Sequence, residues 1–268
     1  MRLKATIVAT VIAAVLVSWG MGTVSTAVAG EKVRYSCSAQ VYQAFEDERL
    51  NAFTKETGVE IDLYVASSSS AVNRLMYGYS DIASTAQGLR YPEKESGYLE
   101  TPFCKVPMAV IAGAGCSISN LSEVQLRDVF SGDVTNWKEV GGPDLPIVVI
   151  IPAKNTAAFR NFERLAMRRV DLKYDVMTYK STMVIDVVKC FRGAISFAAL
   201  GAVSEEKDIK TLSINGISAK HANYPYHQVF SFVTKGEPVG ATKKFIDFVF
   251  SPNGLEMMKK RGMIPILP

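Results

Sequence analysis

The hydrophobic pattern changes period repeatedly along the chain after residue 30. Apolar runs such as VEIDLYV (59–65) and LPIVVII (145–151) are typical of strands, whereas apolar residues three or four apart over 41–57 predict a helix. By the same criteria further strands are predicted at 32–36, 80–85, 107–113, 193–200, 208–214 and 226–234, and further helices at 71–78, 121–132, 156–169, 183–191, 235–252 and 253–262. This alternation indicates an α/β fold with a mostly parallel sheet flanked by helices.

Some helix ends carry recognisable end signals. Ser122 and Gln125 have the spacing of a capping box, in which each side chain satisfies a backbone N–H near the helix start. Gly58 and Gly132 follow the apolar pattern of their helices and predict the ends, because glycine readily adopts the left-handed backbone conformation found there.

Residues 1–29 have a pattern typical of an export signal. A basic start (MRLK) precedes an apolar run over 5–19, and the small residues Ala27 and Ala29 follow. We therefore predict a secretory signal peptide, cleaved near Ala29, and a periplasmic or otherwise exported protein. The alternative is a retained membrane anchor, which the glycines and hydroxyl residues interrupting the segment disfavour.

Composition excludes several classes of protein. The chain has 268 residues, 48% hydrophobic and 21% charged, which is ordinary for a globular protein of one large domain or two lobes. Without the two basic residues of the signal segment, 28 Lys and Arg stand against 26 Asp and Glu. This near-neutral balance, with no dense basic stripe, gives no support to nucleic-acid binding.

Four cysteines remain after the signal segment: Cys37, Cys104, Cys116 and Cys190. An even number in an exported protein favours disulfides, and the sequence leaves all three pairings open. No Cys-x-x-Cys spacing occurs, which argues against a redox motif or a zinc ribbon. No metal or cofactor is predicted.

Four consecutive serines, Ser67–Ser70, lie between the strand at 59–65 and the helix at 71–78. A strand-to-helix junction of this kind lies at the carboxyl end of a strand, where α/β folds bind ligands. Helix-start amides and serine hydroxyls are both hydrogen-bond donors, so the run predicts a polar cradle for an anion. The alternative is that one serine caps the helix and the others face solvent.

Three stretches carry a family resemblance. LSEVQLRDVFSGDVTNWKEVGGPDLPIVV (121–149), YSDIASTAQGLR (79–90) and TKGEPVGATKKFIDFVFSPNGLEMMKKRGMIPI (234–266) resemble segments of the periplasmic phosphate-binding proteins of ABC transporters. The resemblance implies a two-lobed type II periplasmic-binding-protein fold that closes on its ligand about a two-strand hinge. One lobe would comprise 30–100 plus 222–268, and the other 101–221.

The ligand loops of that family map onto altered residues here. The ligand-binding residues that the resemblance implies are Ser38, Gln40, Ser68, Ser69, Ser70, Gln87, Lys154, Asn155 and Thr156. Pro152 replaces an arginine of the family pattern, and Lys154 either restores that charge or is a solvated loop lysine. Because each hydrogen bond to a charged ligand contributes about 1.5–3 kcal/mol, the lost donors would weaken phosphate binding. Phosphate, another oxyanion and a small polar organic molecule all stay open as ligands.

The preferred function is that of an exported solute-binding protein that captures a small oxyanion in an interlobe cleft for an ABC transporter. The expected partners are a small anion or polar solute and an ABC permease, and the protein is expected to be a monomer. The alternative is a related module whose altered ligand site serves a sensor protein or protein docking. An enzyme is disfavoured, because His221 and His227 lack the spacing of a metal pair and no nucleophile or nucleotide motif occurs.

Overall fold

The computed structural model describes residues 30–268, so the predicted signal peptide (1–29) lies outside the described residues. The strands are β1 (Lys32–Ser38), β2 (Glu60–Ala66), β3 (Ile82–Thr85), β4 (Tyr98–Gly113), β5 (Asn120–Leu121), β6 (Val148–Pro152), β7 (Val176–Thr178), β8 (Ala194–Ala199), β9 (Ile209–Ile214), β10 (His227–Lys235) and β11 (Ile264–Pro265). The helices are α1 (Ala39–Val41), α2 (Asp47–Thr57), α3 (Ser68–Met76), α4 (Tyr91–Glu95), α5 (Glu123–Ser131), α6 (Ala157–Leu165), α7 (Val184–Cys190), α8 (Leu200–Val203), α9 (Gly240–Val249) and α10 (Pro252–Lys260). A π-helical stretch, Tyr42–Glu46, joins α1 to α2, and 3₁₀ turns lie at Trp137–Val140 and Ser181–Met183.

The strands form a curled mixed sheet in the order β2-β1-β3-β10-β4-β8-β6-β7, with β11 and β9 pairing to β4 and β5 to β9. At one end β2, β1 and β3 run parallel, and at the other β8, β6 and β7 run parallel. Between these two parallel sets lie β4 and β10, which are antiparallel to each other and to the strands beside them. The sheet is therefore mixed rather than mostly parallel throughout, because the connecting strands reverse direction.

Strand β4 belongs to both halves of the sheet. It pairs with β10 as far as Pro107 and with β8 from Met108 onwards. At the change of partner, the Met108 N–H donates to the Tyr226 carbonyl at 2.8 Å. The lobe boundaries predicted after residues 100 and 221 fall a few residues before this crossing, and the division into those lobes stays a prediction.

The apolar core is organised around the two halves. One cluster contains Met108–Ala112 of β4 with Trp137 and the stacked rings of Phe162 and Phe197, 3.8 Å apart. A second cluster packs β1, β4 and β10 against α2, α9 and α10. Each half therefore buries its own apolar side chains, and β4 passes through both clusters.

The cysteine prediction is wrong, since all four cysteines are free in the structure. The Cys104 sulfur lies 3.9 Å from Met263 Sδ, and the exposed Cys190 thiol donates to Asp186 O at 3.3 Å. Burial raises the pKa of the Cys37, Cys104 and Cys116 thiols, which keeps them protonated and slow to oxidise.

Across residues 30–268, the structure holds no helix with both the length and the apolar character required to span a membrane.

Candidate functional site: a cavity at the strand ends

Parallel strands from both halves of the sheet end at one cavity. Ser38 closes β1 and is in register with Ala66, the last residue of β2. In the other half Pro152 closes β6 and is in register with Thr178, the last residue of β7. Carboxyl ends of parallel strands are where open α/β sheets bind ligands, because helix starts and loops gather there.

The cavity has a volume of about 670 Å³. Its lining comes from four chain segments, two in each half of the sheet, and comprises Ser38, Ala39, Gln40, Tyr42, Gln43, Tyr64, Val65, Ala66, Ser67, Ser68, Ser70, Asn155, Thr156, Ala157, Tyr179, Lys180, Ser181 and Thr182. The first half contributes the ends of β1 and β2, and the second contributes the residues after β6 and β7. A ligand in this space would touch both halves at once.

The serine run forms the start of α3. Ser67 is the N-cap: its backbone is extended and its Oγ accepts the Ser70 N–H at 3.1 Å. The Ser67 hydroxyl donates to Ser70 Oγ at 2.9 Å. Because the first N–H groups of a helix have no intrahelical acceptor, the amides of Ser68 and Ser69 have no partner within α3, and Ser68 lies in the cavity lining. The helix dipole adds partial positive charge at the same point.

Ser38 and Ser68 form a buried hydroxyl pair at the cavity wall. Their Oγ atoms lie 2.9 Å apart, and either can be the donor. Ser68 Oγ also accepts the Ala86 N–H at 3.1 Å, and the Ser38 N–H donates to Ser84 Oγ at 3.0 Å. These bonds tie the ends of β1 and β3 to the start of α3, so the hydroxyls are held in place before any ligand arrives.

A second helix start, that of α6, faces the cavity from the other half. Thr156 is its N-cap, and its Oγ1 accepts the Phe159 N–H at 3.2 Å while donating to Ala153 O at 2.7 Å. The Thr156 hydroxyl proton is therefore already used within the loop. What this helix offers a ligand is the amides of its first turn, beginning at Ala157, and the exposed side chain of Asn155.

The electrostatics of the lining favour an anion. Among its residues there is no Asp or Glu, and the single cationic residue is Lys180. Lys154, which the sequence suggested, is exposed and outside the lining, and its Nζ lies 5.4 Å from the centre of the Tyr174 ring. Burial and the Asp47 carboxylate raise the pKa of the Tyr42 phenol, so this lining residue stays neutral.

Three buried carboxamides link the two sides of the cavity. Asn161 of α6 donates from Nδ2 to Ala86 O at 2.7 Å and to Gln228 Oε1 at 3.0 Å. Gln40 donates from Nε2 to the same Gln228 oxygen at 2.9 Å. Beside them, Gln43 Nε2 donates to Thr182 O at 3.2 Å. The structure therefore holds the two halves together across the cavity through uncharged hydrogen bonds.

The structure brings six of the nine residues suggested by the sequence to this cavity: Ser38, Gln40, Ser68, Ser70, Asn155 and Thr156. Ser69, Gln87 and Lys154 do not line it. Gln87 Nε2 donates to Ser69 Oγ at 3.0 Å, which supports the first turn of α3 from outside. The ligand-binding role of all nine residues stays a prediction.

Sequence reasoning missed the segment 179–182 entirely. This segment follows β7, a strand of three residues that is too short to show an apolar period. Lys180, Ser181 and Thr182 lie just before α7, and Ser181 and Thr182 belong to the 3₁₀ turn that leads into it. A cation and two hydroxyls just before a predicted helix at 183–191 were the available signal.

Comparison with known proteins defines the class. The family model of the PBP superfamily domain matches residues 22–253, and the chain belongs to this superfamily. The structure superimposes with a TM-score of 0.78 on a protein from Clostridium perfringens described as a phosphate ABC transporter substrate-binding protein with bound phosphate. That match has 25% identity and covers 88% of this chain and 100% of the other. The type II binding-protein fold predicted from the sequence is thus confirmed.

Proteins similar to this chain in sequence include phosphate-binding proteins. The phosphate-binding protein PstS of Borreliella burgdorferi is 27% identical over 235 residues, which is 81% of this chain and 83% of that protein. PstS of Bacillus subtilis is 26% identical over 167 residues, and that alignment spans 60% of this chain and 55% of the relative. The resemblance to phosphate-binding proteins of ABC transporters is confirmed by these matches.

Proposed function

We propose that this protein is an exported solute-binding protein that captures phosphate or a related small oxyanion for an ABC transporter. The observation that supports this most is the cavity itself, where the starts of α3 and α6 meet from opposite sides with no carboxylate in the lining. Amides at two helix starts supply donors and partial positive charge, which is the arrangement that binds tetrahedral oxyanions. Similarity to phosphate-binding PstS proteins supports the same ligand class.

Within this proposal each residue has a defined task. The free amides of α3 and the hydroxyls of Ser68 and Ser70 bind one side of the anion, and the first-turn amides of α6 bind the other. Lys180 supplies the charge that the family pattern would otherwise take from an arginine near residue 152. Gln40 contributes its carboxamide, whose Oε1 has no partner among the described residues and can accept a hydrogen bond from a P–OH group.

Calorimetry with phosphate and sulfate tests the proposal. The native protein should bind at least one of them with measurable heat, and Lys180→Gln should weaken binding about tenfold or more, since a hydrogen bond to a charged group contributes about 1.5–3 kcal/mol. Lys154→Gln is the matched control and should change affinity less than threefold, because Lys154 contacts Tyr174 instead. Absence of heat with every anion, for a folded protein, would reject the proposal and favour the sensing or docking module.

A further inference from the structure

The cavity is much larger than a single phosphate ion. At about 30 Å³ per water molecule in the liquid, its volume of about 670 Å³ has room for roughly twenty waters. Pockets of about 300–1,000 Å³ are the size that proteins use for organic molecules. One tetrahedral oxyanion at the helix starts would leave most of this space unfilled.

Aromatic residues line the cavity from both halves. Tyr64, near the end of β2, and Tyr179, just after β7, both belong to the lining. They keep 46% and 82% of their surfaces exposed. Exposed aromatic rings inside a cavity are the usual contact surfaces for the apolar part of a ligand.

The Tyr64 ring is fixed before a ligand binds. The Arg74 guanidinium carbon lies 3.9 Å from the ring centre, and Arg74 Nε donates to Ser36 Oγ at 3.3 Å. Arg74 therefore covers one face of the ring and is itself anchored to β1. A ring held in this way loses little conformational entropy on contact with a ligand, which favours binding.

The charge of the lining also fits a ligand that has one anionic group and is otherwise uncharged. Lys180 is its single cationic residue, and apolar residues such as Val65 and Ala66 lie beside the serine run. We infer that the cavity takes a phosphate monoester whose organic group packs between Tyr64 and Tyr179. This inference rests on the proposed function, because the same helix starts hold the phosphate group.

Calorimetry with phenyl phosphate and inorganic phosphate tests the inference. The native protein should bind phenyl phosphate at least tenfold more tightly than phosphate, as expected for stacking of one ring on an aromatic side chain. In Tyr179→Ala and Tyr64→Ala this preference should fall below threefold while the phosphate affinity stays the same. Tyr77→Ala is the control, since Tyr77 is similarly exposed but lies outside the lining.

The outcomes separate the two proposals. Phosphate bound as tightly as phenyl phosphate, or a preference that survives in both tyrosine variants, overturns the inference and leaves anion capture standing. No binding of either compound overturns both. Because Tyr179 is largely exposed, Tyr179→Ala should melt within about a degree of the native protein. This variant therefore keeps the test valid if Tyr64→Ala folds poorly.

Discussion

At the scale of single residues, the least expected feature is an ion pair inside the apolar core. Glu46 and Arg49 are fully buried, and Arg49 Nε donates to Glu46 Oε2 at 2.9 Å. The Tyr35 hydroxyl donates to Glu46 Oε1 at 2.6 Å, and the Arg49 guanidinium lies 5.2 Å from the centre of the Phe232 ring. In sequence, an acid and a base three residues apart on a helix indicate a solvated pair, so this burial was not predictable.

We expect Arg49→Met to lower the free energy of unfolding by about 3–5 kcal/mol, because Glu46 would be left buried with its charge uncompensated. The double variant Glu46→Gln/Arg49→Met should recover most of that loss. Urea unfolding measures the stability of the single and the double variant. Lys243→Met, which breaks the exposed Lys243–Asp247 pair, is the control and should cost less than about 1 kcal/mol. A double variant less stable than the single one would contradict this account.

His227, at the start of β10, gives a pH-dependent prediction. Burial, reinforced by the Lys105 charge, lowers the pKa of His227 below its ordinary value of 6.5, although a backbone hydrogen bond at Tyr224 partly opposes this. As pH falls, the unfolded chain takes up the proton first, so the histidine's contribution to stability declines below about pH 6.5. Melting temperatures between about pH 7.5 and 5 should therefore fall less in His227→Gln than in the native protein. If melting temperature falls equally with pH in the two proteins, His227 does not titrate in this way.

At the scale of elements, the cap of α3 and the helix at 183–191, which is α7, were predictable from sequence, but the segment 179–182 between β7 and α7 was not. Four serines between an apolar run and a helical period mark a cap strongly, and the structure places Ser67 at the N-cap. The Ser122–Gln125 capping box of α5 is also confirmed, with the Gln125 N–H donating to Ser122 Oγ at 3.1 Å. Strand β7 has only three residues and no cap or apolar period that would mark it in the sequence. Segment 179–182 was therefore not recognised as a loop at the end of a strand.

The Ser67 cap gives a prediction that separates stability from binding. Ser67→Ala should cost about 1 kcal/mol in urea unfolding, because the Ser70 N–H loses its acceptor. Ser67→Asp should keep most of the stability, since aspartate is an equally good cap. Its negative charge in the lining should nevertheless weaken phosphate binding in calorimetry by about tenfold or more. If Ser67→Asp binds phosphate as the native protein does, the anion does not occupy this end of the cavity.

At the scale of the whole molecule, the resemblance in three segments predicted the fold, but the sequence pattern did not locate the crossing strand. Pro102 and Pro107 interrupt the stretch that becomes β4, and proline normally ends a strand because it lacks the N–H. The structure accommodates them in a single strand of 16 residues, with a register shift against β10 between Phe230 and Ser231. The sequence therefore showed only the second part, 107–113, as a strand.

Asn161 is expected to set how readily the two halves separate. Asn161→Leu removes two hydrogen bonds across the cavity, together worth about 1–3 kcal/mol, which is about 5-fold to 150-fold in the ratio of closed to open molecules. Small-angle scattering of the ligand-free variant should give a larger radius of gyration than that of the native protein. Phosphate affinity should fall, because closing then consumes binding energy. Arg160→Gln, on the same helix and exposed, should leave both measurements unchanged.

The Ser38–Ser68 hydroxyl pair has a consequence for which ligands the cavity accepts. Either hydroxyl can donate across the 2.9 Å contact between the Ser38 and Ser68 oxygens. Whichever hydroxyl accepts keeps its own proton free to donate to a ligand. Rotation of the two hydroxyls about their Cβ–Oγ bonds reverses this hydrogen bond and so changes which oxygen has the free proton, with no shift of a heavy atom. This part of the cavity can therefore donate to anions of differing shape by reorienting hydroxyl protons alone. The fixed positions of the two oxygens do not restrict the cavity to a ligand of one shape.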